Sequence, residues 1–221
     1  VLRQRLEGKL PENRRASGQG GGHSYADPGL PAGAGEPISG TARRRAVPVR
    51  VAARPGFPTV EDRLAGDSAG GNIATGAALA LKLDNRPLPA AVVAFSPWYD
   101  MEANGPTFDS NAGVDVAISR QLVHAVAPMF LGGRSPTDPL ANPLYANPAG
   151  LGPLLLTCGD DETLLDSVRR FAALAKESGV EVALHVADGM PHAFQLLAGR
   201  LPEMDASIAE TGKWLREKLD T

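Results

Sequence analysis

Gly66-Asp67-Ser68-Ala69-Gly70-Gly71 is the stretch on which the fold turns. It fits Gly-x-Ser-x-Gly, a tight strand-to-helix turn with the serine at its apex. Side chains at Gly66 and Gly70 are expected to strike the neighbouring strand and helix, which is why glycine flanks the serine. The helix opening behind Ser68 presents free N–H groups and a positive dipole end, suited to developing negative charge. In a chain with 25 glycines the pattern arises by chance with a probability of roughly 0.1. The turn therefore decides nothing until its surroundings agree with it.

They do agree. Ser68 to Leu83 is rich in Ala and Leu and stops before Pro87, as a helix would. Ala90-Ala91-Val92-Val93-Ala94-Phe95 is a continuous apolar run ended by Ser96-Pro97, the pattern of a fully buried strand. Ile118 to Phe130 carries Ile118, Leu122, Val123, Val126, Met129 and Phe130 at helical spacing, with Gly132-Gly133 after it. Pro153 to Cys158 is a second buried-strand candidate, Leu164 to Ser178 an amphipathic helix closed by Gly179, and Val180 to Val186 a third, alternating strand. Met204 to Leu219 reads as a final helix with Ile208, Trp214, Leu215 and Leu219 on one face. Such alternation predicts right-handed βαβ units around a mostly parallel α/β sheet. Ligands in these sheets sit at the carboxyl ends of the strands, so the turns there carry the chemistry.

A serine hydroxyl is a weak nucleophile that needs a base, and the base needs an orienting acid. Four histidines are available. His23 lies in a Gly/Pro-rich region, while His124 inside a helix and His185 within a strand read as structural or solvent-facing. His192 follows the third strand in Asp188-Gly189-Met190-Pro191-His192-Ala193-Phe194, a turn at the correct end of the sheet. Acids crowd the turn after the second strand: Asp160, Asp161, Glu162 and Asp166. At least two of these are expected only to solvate a loop. The chain order serine, acid, histidine places the three roles on three consecutive strand-end turns.

Composition narrows the function classes. With 221 residues, 43% apolar and 21% charged, the chain suits one globular core. No run approaches the roughly 20 apolar residues of a membrane span. The single Cys158 excludes a disulfide framework and a multi-cysteine zinc site. A net charge of −3 gives no support to a nucleic-acid partner. The start, Val1-Leu2-Arg3, shows no signal-peptide pattern, so a cytoplasmic location is expected.

The motifs together resemble the bacterial hormone-sensitive-lipase-like branch of the α/β hydrolases, serine carboxylesterases acting on short acyl esters. Over about residues 64–221, Gly66-Asp67-Ser68-Ala69-Gly70-Gly71-Asn72 is similar to the family's elbow. Ser96-Pro97-Trp98 with Asp100, and Asp138 to Tyr145, look like its inter-strand segments, and Pro191-His192-Ala193-Phe194 like its histidine motif. The family's acid motif, Asp-Pro-Leu-x-Asp, laid without gaps from Pro153, falls on Glu162-Thr163-Leu164-Leu165-Asp166. The resemblance thus implies Ser68 as nucleophile, His192 as base and Glu162 as acid, with Asp161 the runner-up. It implies an oxyanion hole built from the Ala69 N–H and a Gly-rich loop, for which Gly20, Gly21 and Gly22 are the candidates. A small-molecule ester substrate and no metal or organic cofactor follow from it. Oligomerisation is left open.

The first 60 residues depart from the family pattern. They carry ten Lys+Arg against four Asp+Glu, and Gly and Pro supply 17 of them, so a poorly structured segment is expected ahead of a catalytic domain over 61–221. One strand-like run, Val47 to Ala53, is broken by Pro48. Family members have strands before the elbow and a His-Gly-Gly-Gly loop, whereas Gly20-Gly21-Gly22-His23 runs in reversed order. Only Arg63-Leu64-Ala65 separates Gly66 from a segment, Phe57 to Asp62, that lies well before the elbow in the family, so a helix and the elbow's own strand are expected to be missing. The Arg/Gly/Pro/Ala bias of residues 11–56 suggests a frame error or an internal deletion upstream of about residue 57. The competing reading is therefore an inactive or truncated hydrolase domain, a folding remnant or small-ligand binder.

Overall fold

Arg63 to Asp67 correct the last of those structural expectations. In the computed structural model, which describes residues 63–218, Arg63–Asp67 form strand β1 and Ala69–Leu83 form helix α1, with Ser68 alone between them. The elbow's own strand is present. It escapes a search for apolar runs because its five residues are Arg, Leu, Ala, Gly and Asp, alternately exposed and half-buried.

The remaining elements follow in α/β alternation: β2 (Ala91–Phe95), the short α2 (Thr107–Ser110), α3 (Arg120–Leu131), β3 (Leu154–Gly159), α4 (Leu165–Glu177), β4 (Val182–Ala187) and α5 (Pro202–Glu217). Single 3-10 turns lie at Pro143–Tyr145 and Phe194–Leu197. The four described strands pair in the order β1-β2-β3-β4, all parallel. Their register aligns Asp67 with Phe95, Phe95 with Thr157 and Thr157 with His185. The turns leaving the strands consequently open at one end of the sheet, within reach of one another.

The core sits on the two central strands. Val92, Val93, Ala94 and Leu154 to Leu156 are buried on both faces of the sheet, which is why β2 and β3 read as unbroken apolar runs. Helix α1 approaches closely through small residues, Gly71, Ala74, Ala77 and Ala78. Helix α4 buries Val168, Phe171, Ala172 and Ala175, a stripe at helical spacing. The Phe171 ring tilts against Tyr99 at 4.7 Å between centroids, and burying it contributes about 1.5–3 kcal/mol. Cys158 lies in the same cluster, and burial, reinforced by the Glu162 charge, pushes its thiol pKa well up.

A second cluster of Trp98, Met101, Phe108, Val123, Ala127, Leu131 and Leu164 seats the excursion between β2 and β3. Two helix faces differ from the sequence reading. On α3 the buried residues are Val123, Ala127 and Leu131, while Leu122 and Met129 face outward. On α5 they are Met204 and Thr211, while Ile208 is exposed and Leu219 lies beyond the described residues. Both helices have apolar residues on more than one face, and tertiary neighbours choose between them. Among the described residues no helix is long and apolar enough to cross a membrane. The expectations made for residues 1–60, including Val47 to Ala53 and the Gly20-Gly21-Gly22 loop, lie outside the described residues.

Candidate active site

Ser68 occupies the one-residue turn between β1 and α1 at φ 53°, in the left-handed region that non-glycine residues enter only at a cost. Its N–H donates to Phe95 O at 2.9 Å, and its carbonyl accepts from Asn72 N–H and Trp98 N–H. Gly66 is required: a Cβ there would come within 2.4 Å of the Gly70 carbonyl group. At Gly70 itself a Cβ would meet open space, which corrects the expectation that both flanks are sterically obliged. The tight contact falls one residue later, where a Cβ on Gly71 would lie 3.0 Å from Pro97 Cβ.

His192 closes on this turn from the far side of the sheet. Its Nε2 lies 2.9 Å from Ser68 Oγ and its Nδ1 lies 2.9 Å from Glu162 Oε2. The side chain of His192 is 8% exposed and that of Glu162 is fully buried. A buried carboxylate accepts, so Nδ1 carries the proton and Nε2 presents its lone pair to the serine hydroxyl. The turns bearing these groups approach closely because Gly159 has no side chain: a Cβ there would collide with the Met190 carbonyl oxygen.

The four acids of the β3 turn separate cleanly. Glu162 Oε1 receives the Ser96 hydroxyl at 2.6 Å and the Gly159 N–H, leaving Oε2 for the imidazole. Asp160 receives Gly189 N–H at 2.6 Å and so braces the histidine turn. Asp161 makes no such contact with His192; burial and the charges of Asp160, Asp188 and Asp115 raise its pKa. Asp166 lies in the first turn of α4, 3.5 Å from Arg170. The other histidines stay away: His124 Nε2 is 3.2 Å from Glu102 O, and His185 is 3.9 Å from Glu210. His23 lies outside the described residues.

Three contributors were given no role by the sequence. Asn111 Nδ2 donates to both Asp160 O and Glu162 O, at 2.7 and 2.9 Å. Asp115 Oδ2 receives Thr163 N–H at 2.8 Å and the Thr163 hydroxyl at 3.0 Å. Ser96 links Glu162 to Ala193 N–H, 3.0 Å away. The sequence marked Ser96 as a strand end and as part of the Ser96-Pro97-Trp98 segment of the resemblance, but gave it no role.

Chemically, the arrangement can transfer a proton from Ser68 Oγ to His192 Nε2 while Glu162 steadies the imidazolium. The first bond within α1 runs from Asn72 N–H to Ser68 O, so the Ala69 N–H stands at the helix start without a partner inside the helix. Gly20, Gly21 and Gly22 fall outside the described residues. Among the described residues no group of three or more His, Cys, Asp or Glu is placed to hold a metal ion.

Comparison with known proteins identifies the family. A family model described as an alpha/beta hydrolase fold matches residues 60–196. An acetyl-hydrolase of Streptomyces hygroscopicus is 34% identical over 161 residues, 73% of this chain and 54% of the relative. An esterase of Acinetobacter venetianus is 29% identical over 68% of this chain and 50% of its own length. The crystal structure of an esterase from the bacterial hormone-sensitive lipase family superposes with a TM-score of 0.72 at 45% identity, covering 74% of this chain and 55% of that one. The chain thus spans about half the length of the curated relatives it matches. With the parallel sheet and its strand-end turns, these matches carry one conclusion: the chain belongs to the α/β-hydrolase family, in its bacterial hormone-sensitive-lipase-like branch.

Proposed function

We propose that the chain is a serine carboxylesterase hydrolysing short-chain acyl esters through an acyl-serine intermediate. The observation that carries this reading is the pair of 2.9 Å contacts, Ser68 Oγ to His192 Nε2 and His192 Nδ1 to Glu162 Oε2. Ser68 Oγ attacks the ester carbonyl as its proton passes to Nε2. The tetrahedral intermediate expels the alcohol, which takes that proton. Water then attacks the acyl-serine by the same route, releasing the acid and restoring Ser68. The Ala69 N–H supports the developing oxyanion. The short acyl preference is supported by similarity to a protein named an acetyl-hydrolase.

An activated organophosphonate tests the reading directly. Stoichiometric labelling should map to Ser68, and Ser68→Ala should abolish it together with turnover of a short activated ester, a loss of several orders of magnitude. Labelling at another serine, with Ser68→Ala unaffected, would overturn the assignment. Labelling of Ser68 without turnover would favour the inactive-domain reading.

A further inference from the structure

Ser96 is the first residue beyond β2, and it is completely buried. Its backbone is held at φ 45°, a left-handed conformation that glycine adopts freely and other residues do not. Its N–H is tied to Thr157 O at 2.6 Å. The hydroxyl has one proton, and its direction can be deduced. Ala193 N–H lies 3.0 Å from Ser96 Oγ, and an N–H only donates, so Oγ accepts there. The Ser96 proton is left for Glu162 Oε1, 2.6 Å away. Glu162 Oε2 faces His192 Nδ1, and Ala193 is the residue after His192, so the contacts close a ring. One hydroxyl grips both the carboxylate that faces the imidazole and the backbone that carries it.

A packing role does not account for this. Alanine would fill nearly the same volume, and glycine would relieve the left-handed backbone. Either would leave a buried carboxylate oxygen and a buried N–H each short of a partner.

We propose that Ser96 is a positioning residue for the hydrolytic reaction: its hydroxyl sets Glu162 and the His192 backbone together so that Nε2 stays aimed at Ser68 Oγ. The proposal rests on the reading of Ser68, His192 and Glu162 as the reacting triad.

Ser96→Ala and Ser96→Gly test it, the second protecting against misfolding because glycine tolerates φ 45°. Two measurements are made on the full chain, with near-UV circular dichroism reporting the fold. The first is the NMR titration of the His192 ring. Removing a neutral donor from Glu162 concentrates its negative charge and favours imidazolium, so His192 should titrate at higher pH in both variants, whereas Glu162→Gln should move it lower. The second is the rate of Ser68 labelling by an activated organophosphonate, expected to fall by about 10–10²-fold at saturation with the half-saturating concentration within about twofold. Folded Ser96 variants with wild-type His192 titration and wild-type labelling overturn the proposal while leaving the triad reading intact. Wild-type labelling in Glu162→Gln removes the triad reading, and the proposal with it.

Discussion

Asp161 and Glu162 are neighbouring carboxylates in opposite surroundings, and their variants should diverge. Glu162 is fully buried and meets three donors. Replacing it by glutamine leaves the shape but removes the charge that holds the correct tautomer of His192, so esterase activity should fall by about 10³–10⁴-fold. Asp161 has its pKa raised, first by burial and then by the charges of Asp160, Asp188 and Asp115. A carboxyl whose pKa is higher in the fold than in the unfolded chain contributes full stability below its unfolded pKa and loses it as pH rises through the folded value. At neutral pH the Asp161 charge therefore costs stability. Asp161→Asn should raise the urea midpoint at pH 7 and converge with wild type near about pH 4, with activity unchanged. A larger loss of turnover from Asp161→Asn than from Glu162→Gln would move the acid by one residue. The residues alone left four acids open on the β3 turn, and Glu162 was singled out only through the resemblance, by laying the family's acid motif without gaps from Pro153. Asn111, Asp115 and Ser96 were not, since each acts on a partner 48 to 66 residues away, where no local pattern speaks.

The elbow, as an element, makes a graded prediction across its glycines. Gly66→Ala places a methyl group 2.4 Å from backbone that cannot yield, so the variant should be destabilised by about 3 kcal/mol and lose activity with it. Gly70→Ala meets nothing and sits in the first turn of a helix, where alanine is favoured over glycine by up to about 1 kcal/mol. Its thermal midpoint should stay level or rise. Equal destabilisation by both substitutions would show that the turn tolerates no side chain at either flank, contrary to the packing. The motif pattern treats the two glycines alike; the packing tells them apart, because the helix backbone at Gly70 and Gly71 crowds Gly66 while Gly70 faces open space, and the second constraint falls on Gly71 against Pro97. Strand β1 was hidden for a related reason. Periodicity identifies strands by the apolar faces they bury, and β1 buries little of itself. The faces of α3 and α5 were misjudged because hydrophobic spacing names the candidates for burial but not the surface they meet.

Over the whole molecule, protection runs inward from the edges of the described sheet. β2 and β3 are buried along almost their entire length, β4 is half-buried, and β1 alternates between exposed and half-buried. Native-state hydrogen exchange should therefore find the amides of β2 and β3 slowest and those of β1 fastest among the strands. Uniform protection across all four would show that β1 unfolds only with the core. The α/β order and the central strands could be read from sequence because alternation of apolar runs and helical periods survives without tertiary information. Among the described strands, the one that leads into Ser68 is thus the one whose local opening costs least, and the histidine turn is anchored to one of the two most resistant through Gly159 and Asp160. Cys158 stands next to that anchor as the sole thiol in the chain, sealed in the core and held in its unreactive form. Nature has in effect installed a clock there: the rate at which an alkylating reagent consumes Cys158 counts openings of β3, and comparing it with the loss of labelling at Ser68 during thermal inactivation would time the failure of the nucleophile against the failure of the core.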